Sequence, residues 1–233
     1  MPETGFLDRM LDVAGATRRY QVFVPAGWHA GRRWPVILFL HGAGEGGADG
    51  LLQTEVGLGS AIRRHAGRFP VLAVFPQAPS GAAWRGRIAE AALRAVDAAI
   101  AEFRGDPARI YLTGLSMGGS GTLRMAAEHP HRFAALVPVC PGFDPPASAA
   151  NPSGAGDPFL ATARAIGATP TWIFHGARDD VISVGTTRRM VAALLRAGGN
   201  VRYTEYPDVG HGAWDAAYAE PMLVPWLLSY RRR

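Results

Sequence analysis

Ser116 stands in the sequence Gly114-Leu-Ser-Met-Gly118, a spacing that suits a nucleophilic hydroxyl. The apolar run RIYLTG ends just before it, and the small-residue stretch MGGSGTLRMAAEH begins just after it. A sharp strand-to-helix turn at this junction would raise the serine side chain above a sheet, with glycines where strand and helix meet. Because 29 residues of the chain are glycine, Gly-x-Ser-x-Gly alone is weak evidence. The interpretation of Ser116 as a nucleophile therefore depends on its setting.

A serine nucleophile needs a base, and the base needs an acid that orients it. In an architecture with this turn, both follow the serine in the order acid, then histidine. His211, in YPDVGHGAWD, is the histidine that lies beyond the acid candidates. Asp179 and Asp180 follow the apolar run PTWIFHG, and spacing alone does not choose between them. Asp208 lies three residues before His211 and is a weaker candidate.

The stretch ILFLHGAGEGG predicts a strand that runs into a turn rich in glycine. Such a turn can direct backbone N–H groups at a developing oxyanion, and we expect the donors to be the N–H groups of Ala43 and Met117. The turn lacks the Gly-Lys-Ser/Thr ending of a phosphate-binding loop. His41 and His175 both precede a glycine at a strand end, where packing and hydrogen bonding to loops are expected rather than proton transfer.

Composition excludes several classes of protein. The net charge is +5 and every basic residue is an arginine, but the arginines are scattered, which argues against a nucleic-acid partner. No apolar run approaches the length of a membrane span, and the first residues lack the pattern of a secretory signal, so a cytoplasmic protein without a membrane partner is the expectation. Cys140 closes an apolar run and is expected to be a small buried residue rather than a reactive thiol.

The elements that must position these residues can be read from the hydrophobic pattern. Alternation in RRYQVFV (18–24) predicts a strand whose hairpin partner is FLDRMLDV. Five later apolar runs show little alternation, as in parallel strands buried on both faces, and helical patterns over 88–103, 117–129 and 185–199 lie between or after them. The stretch 141–158 is rich in Pro and Gly and predicts a long loop. We therefore expect one α/β domain over residues 1–233, with a mostly parallel sheet flanked by helices and an antiparallel hairpin at its edge.

Together these pieces resemble the α/β-hydrolase superfamily, and more narrowly the small serine esterases of the phospholipase/carboxylesterase and feruloyl-esterase-like group, some of which are described as peptidases. The matching stretches are FLHGAGEGG, FPQAP, GLSMGG, HGARDDVIS and YPDVGHGAW. The pattern His-Gly-x-x-Asp-x-x-Val-Pro of that group favours Asp179 as the acid. Ile182 and Ser183 replace its Val and Pro, so Asp180 stays an alternative. The resemblance implies no cofactor, and the sequence contains no cluster with the spacing of metal ligands.

The expected function is that of a serine carboxylic-ester hydrolase that forms an acyl-enzyme on small or medium soluble esters, such as short-chain, aryl or acylated-sugar esters. A thioesterase or serine peptidase with the same triad is the alternative, and a non-enzymatic receptor on this fold is a weaker one. Trp84, Phe143 and Trp214 lie in loops at the carboxyl edge of the predicted sheet and are candidates for the substrate pocket. Nothing in the sequence specifies an oligomeric state.

Overall fold

The computed structural model describes residues 3–146 and 156–232, which form one eight-stranded sheet covered by helices on both faces. The strands are β1 (Gly5–Val13), β2 (Ala16–Val24), β3 (Trp34–Leu40), β4 (Leu72–Pro76), β5 (Gly105–Leu115), β6 (Ala135–Val139), β7 (Thr171–Gly176) and β8 (Val201–Tyr206). The helices are α1 (Leu58–Arg64), α2 (Gly86–Phe103), α3 (Met117–Glu128), α4 (Pro158–Ile166), α5 (Val184–Arg196), α6 (Trp214–Ala219) and α7 (Leu223–Leu228).

The strand order is β1-β2-β4-β3-β5-β6-β7-β8. β1 pairs antiparallel with β2, and β2 pairs antiparallel with β4. The six strands β3 to β8 are parallel to one another. The α/β fold class and the antiparallel hairpin predicted from the sequence are thus confirmed. Because parallel strands need crossovers, helices cover both faces, and this explains why β3, β4 and β7 are buried along their whole length.

The core consists of two layers, one on each face of the sheet. Along β3, Leu38 belongs to one layer and its neighbour Ile37 to the other, as the alternation of a strand requires. Helix α2 lies on the first layer, where Ala92, Val96 and Ala99 are fully buried. The helix predicted over 88–103 is thus confirmed.

The predicted long loop 141–158 falls partly on residues 147–155, which lie outside the described residues. At its end the prediction is wrong by one residue, because Pro158 is the first residue of α4. Asp157 caps this helix through its side chain, which accepts a hydrogen bond from the N–H of Phe159, and proline at the first helical position needs no donor. The helix predicted over 185–199 is observed as α5, which ends at Arg196 and is followed by Gly198 in the left-handed conformation (φ 76°).

None of the helices in the described ranges combines the length and the apolar character needed to cross a membrane.

Candidate active site

Ser116 lies on the turn between β5 and α3, at the carboxyl edge of the sheet. Its backbone has φ 52° and ψ −115°, a conformation that costs a non-glycine residue about 1–3 kcal/mol. The turn is held by two hydrogen bonds, from the N–H of Ser116 to the carbonyl of Val139 (2.9 Å) and from the N–H of Ser120 to the carbonyl of Ser116 (3.0 Å). The surrounding structure therefore imposes the strain and keeps the hydroxyl raised above the sheet.

The glycines on either side of Ser116 allow this turn to form. A Cβ on Gly118 would lie 1.9 Å from the carbonyl oxygen of Leu40, and one on Gly114 would lie 2.4 Å from the carbonyl oxygen of Gly118. Neither distance is tolerable for a carbon atom, so α3 reaches the ends of β3 and β5 because these residues have no side chain. The two glycines of the pattern Gly-x-Ser-x-Gly are thus required by the close packing of α3 on the strand ends as well as by the turn at Ser116.

His211 reaches Ser116 from the loop after β8. Its Nε2 atom lies 2.9 Å from Ser116 Oγ, and its Nδ1 atom lies 2.8 Å from Asp179 Oδ2. A carboxylate can only accept, so Nδ1 carries the hydrogen and Nε2 is free to accept the hydrogen of the Ser116 hydroxyl. The loop is brought close by Gly176, where a Cβ would lie 2.3 Å from the carbonyl oxygens of Val209 and Gly210.

Asp179, rather than Asp180, is the acid that contacts His211. The Asp179 side chain is fully buried, whereas Asp180 is exposed. Asp208 is also exposed and forms an ion pair with Arg178 (2.6 Å). Of the three acids that the sequence offers, the structure brings Asp179 alone into contact with the imidazole ring.

The turn after β7 wraps around the Asp179 carboxylate. Oδ1 accepts hydrogen bonds from the N–H groups of Val181 (2.9 Å) and Ile182 (2.8 Å), and Oδ2 faces His211. Burial opposes ionisation of this carboxyl, but the hydrogen bonds from His211, Ile182 and Val181 outweigh burial and hold the pKa of Asp179 below its usual value. The acid is therefore charged at neutral pH and can stabilise a protonated His211.

The glycine-rich turn after β3 lies directly beside the serine. A Cβ on Gly42 would be 3.7 Å from Ser116 Cβ. The carboxylate of Glu45 accepts the N–H of Gly42 (2.8 Å), so that N–H group is already used, and burial raises the pKa of Glu45. Ala43 and Met117 are the first residues of a 3-10 turn and of α3, positions where backbone N–H groups have no partner within their own helix. The structure thus places both predicted oxyanion donors at the start of a helical turn next to Ser116.

His41 and His175 are both fully buried. His41 Nδ1 lies 2.6 Å from the carbonyl of Gly42 and its Nε2 accepts the N–H of Ala78, and burial lowers the pKa of His41 to about 4. His175 contacts the carbonyl of Ile182. Both histidines therefore bind loop backbone, as expected, but no sequence pattern predicts that His175 also lies against Asp179 (3.0 Å).

The three predicted pocket residues occupy different environments. Trp84 is 1% exposed, packs against Gly121 and donates its indole N–H to the carbonyl of His41 (2.9 Å), so its prediction as a pocket residue is wrong. Phe143 is half-buried and stacks on Phe159 with ring centroids 3.7 Å apart. Trp214 is half-buried and meets the His211 ring edge to face at 5.4 Å. Phe143 and Trp214 remain predictions.

Among the described residues, one group of three side chains has its potential metal ligands close together, and its members are Cys140, Asp179 and His211. The sulfur of Cys140 lies within 4.8 Å of ligand atoms of Asp179 and His211. Cys140 is fully buried, and burial raises the pKa of its thiol to about 12. A neutral thiol is a poor metal ligand, and the Asp179 and His211 atoms already bond each other, so the donors do not fit a metal centre. Cys140 is buried as the sequence predicts.

The chain is similar to proteins that are described as esterases and peptidases. Residues 82–155 match the prolyl oligopeptidase family. A curated relative described as "Putative esterase NocK", from Nocardia uniformis subsp. tsuyamanensis, is 30% identical over 82% of this chain and 60% of its own length. Among solved structures, a thermostable esterase is 31% identical with a TM-score of 0.83, over 97% of this chain and 63% of its own. S-formylglutathione hydrolase (FrmB) from Staphylococcus aureus has a TM-score of 0.72 at 16% identity over 97% of this chain and 100% of its own, and shows the fold alone.

The chain has the fold of the α/β-hydrolases, and two proteins about 30% identical to it are described as esterases, like members of the group that its sequence resembles. It spans about three fifths of the length of the curated relative and of the thermostable esterase.

Proposed function

We propose that this protein is a serine carboxylic-ester hydrolase that acts through an acyl-enzyme on small or medium soluble esters. The observation that carries the proposal is the continuous hydrogen-bonded chain from Ser116 through His211 to Asp179, with distances of 2.9 and 2.8 Å. Serine in a strained turn, a neutral imidazole and a buried carboxylate are the groups that acyl transfer requires.

In the proposed mechanism, His211 takes the hydroxyl proton as Ser116 Oγ attacks the ester carbonyl carbon. The carbonyl oxygen becomes an oxyanion, which accepts hydrogen bonds from the N–H groups of Ala43 and Met117. The imidazolium, stabilised by Asp179, returns its proton to the departing alcohol, and an ester bond now joins the acyl group to Ser116. Water, deprotonated by His211, then attacks this ester, and the bond between the acyl carbon and Ser116 Oγ breaks. The imidazolium returns its proton to Oγ, which regenerates the serine, and the carboxylic acid leaves.

The proposal is tested by labelling with a fluorophosphonate and by hydrolysis of p-nitrophenyl acetate. Ser116→Ala should abolish labelling and lower kcat by about 10⁴-fold or more, because the nucleophile is gone. Ser229→Ala is the matched control, since Ser229 is exposed near the end of the chain and donates to the carbonyl of Trp226. Full activity of Ser116→Ala would disprove the proposal.

The proposed oxyanion donors can be tested with Ala43→Pro, which removes one N–H group. Gly42 already has an extended backbone (φ −79°, ψ −174°), the conformation that the residue before a proline prefers, and Ala43 opens its turn. We expect kcat to fall by about 10²–10³-fold with KM nearly unchanged. An unchanged kcat, with thermal stability retained, would remove Ala43 from the oxyanion hole.

A serine peptidase is the second candidate, because residues 82–155 match the prolyl oligopeptidase family. A thioesterase would use the same three residues. Ester, thioester and anilide substrates that share one acyl group separate these functions by kcat/KM, and a chain-length series of esters then measures the size of the acyl pocket. We expect the esters to be hydrolysed fastest. A non-enzymatic receptor on this fold would hydrolyse none of them.

A further inference from the structure

A second imidazole lies behind the Asp179 carboxylate. His175, in β7, is fully buried, and its Nε2 atom is 3.0 Å from Asp179 Oδ2 and 3.0 Å from the carbonyl oxygen of Ile182. On the other side of the ring, Nδ1 lies 2.7 Å from the hydroxyl of Thr187, which is also fully buried. The proposed mechanism gives no part to either residue.

The partners of His175 determine which of its nitrogens carries hydrogen. A carboxylate and a carbonyl can only accept, so Nε2 must be the donor. The Thr187 hydroxyl can donate to Nδ1, and a neutral ring then has every polar atom satisfied. Nε2 has one hydrogen, which it donates to the carbonyl of Ile182, and Asp179 Oδ2 lies 3.0 Å from the same nitrogen. The hydrogen bonds therefore run in one direction, from Thr187 to His175 and from His175 to the turn that holds Asp179.

We propose that His175 is a positioning residue that holds the Asp179 carboxylate in line with His211, an inference that rests on the proposed function. The turn N–H groups of Val181 and Ile182 hold Oδ1 only, so without a further contact the carboxylate could swing Oδ2 away from His211. His175 Nε2 lies 3.0 Å from Oδ2 and also anchors the carbonyl of Ile182, which belongs to the turn around the acid. Outer hydrogen bonds of this kind orient the groups that perform the chemistry.

His175→Leu and His175→Gln test the role by removing or keeping a donor. The amide nitrogen of glutamine can occupy the place of Nε2, whereas leucine offers no hydrogen bond. On p-nitrophenyl acetate we expect His175→Leu to lower kcat by about 10- to 100-fold with KM within about twofold, and His175→Gln to stay within about fivefold of the wild type. The downfield proton resonance of the His211–Asp179 hydrogen bond should be lost in His175→Leu and kept in His175→Gln.

Thr187→Val is the second variant, which keeps the proposal testable if His175→Leu does not fold. Its matched control is Thr162→Val, because Thr162 is also a buried helical threonine and donates to the carbonyl of Pro158, away from the site. Both changes remove one buried hydroxyl and should cost similar stability. We expect kcat to fall by about 3- to 10-fold in Thr187→Val and to stay at the wild-type value in Thr162→Val.

The outcomes separate this proposal from the proposed function. If Ser116→Ala is inactive but His175→Leu keeps the wild-type kcat and the downfield resonance, the positioning role is overturned and the hydrolase remains. Equal kcat values for Thr187→Val and Thr162→Val would also overturn it. If Ser116→Ala is fully active, the proposed function itself fails. A loss of kcat in His175→Leu that glutamine restores supports the role.

Discussion

Asp179 and Asp180 are adjacent and chemically identical, yet their surroundings give them different properties. Asp179 points into the protein, where two backbone N–H groups and His211 hold its oxygens. Asp180 points to solvent. At the scale of a single residue, the direction of the side chain decides which carboxylate can orient the imidazole.

Asp179→Asn therefore should abolish most activity, while Asp180→Asn should not. The amide that replaces the Asp179 carboxylate would present a donor or a weaker acceptor to Nδ1, so His211 would lose the tautomer that accepts the serine proton. We expect kcat on p-nitrophenyl acetate to fall by about 10⁴-fold in Asp179→Asn and to change less than about twofold in Asp180→Asn. The reverse order would reassign the acid to Asp180.

The sequence predicts Ser116, His211 and Asp179 for different reasons. The strand, turn and helix around Ser116 are local, and residue order leaves His211 as the base. Asp179 is favoured over Asp180 by the resemblance to a family, because spacing does not report where a side chain points. The burial of Trp84 could not be predicted, since it depends on Gly121 and His41, which are distant in sequence.

At the scale of elements, the approach of α3 to the sheet is the feature on which the site depends. Gly118 and Gly114 bring this helix against the ends of β3 and β5, and a Cβ on Gly119 would lie 2.5 Å from the carbonyl oxygen of Val139.

The unbroken apolar runs predict the strands well because the parallel strands are buried on both faces. Helix α4 is not predicted because it follows directly on a Pro- and Gly-rich stretch, with Asp157-Pro158 as its only local sign.

Gly118→Ala tests this contact. The added Cβ would lie 1.9 Å from the carbonyl oxygen of Leu40, so helix and strand must separate and Ser116 must move. We expect a loss of about 3 kcal/mol or more in the free energy of unfolding, measured by urea denaturation, together with loss of the proposed esterase activity. Gly67→Ala is the control, because a Cβ there has nothing within 4 Å. A Gly118→Ala protein of wild-type stability would contradict the packing described.

The edge strand β8 is tied to α5 by an acidic side chain. Glu205 Oε1 accepts a hydrogen bond from Arg188 (2.6 Å) and Oε2 accepts one from the hydroxyl of Tyr203 (2.6 Å). Arg188 first and Tyr203 second lower the pKa of Glu205 to about 2.

The contact predicts a dependence of stability on pH. Because the pKa of Glu205 is lower in the folded protein than in the unfolded chain, its contribution is complete above about pH 5 and is lost as the pH falls toward 2. Glu205→Gln should therefore lose at most about 1 kcal/mol near neutral pH and nothing at low pH, since Arg188 is largely exposed. Thermal unfolding from about pH 6 to about pH 2 measures this difference. Glu90→Gln, in an exposed pair with Arg94 within α2, is the comparison, and an equal loss at every pH in Glu205→Gln would contradict the assignment.

At the scale of the whole molecule, two core layers are joined through one sheet, and the site lies along the edge where the parallel strands end. Ser116 follows β5, the Ala43 turn follows β3, Asp179 follows β7 and His211 follows β8. The geometry of the site therefore requires four strands to keep their register at once. This is why we propose that the described residues behave as a single domain.

A single domain predicts one cooperative unfolding transition, which mutations on opposite faces can test. Leu38 in β3 belongs to one layer and Phe174 in β7 to the other, both are fully buried, and β5 and β6 lie between their strands. Leu38→Ala should cost about 2–5 kcal/mol and Phe174→Ala about 3–5 kcal/mol, with the two losses adding within about 0.5 kcal/mol because the side chains lie on opposite faces of the sheet. In every variant, the loss of the proposed esterase activity in urea should coincide with the loss of secondary structure and the change in tryptophan fluorescence. Two separate transitions, with one mutation shifting only one of them, would mean that the layers unfold independently and that the site is held by only one of them.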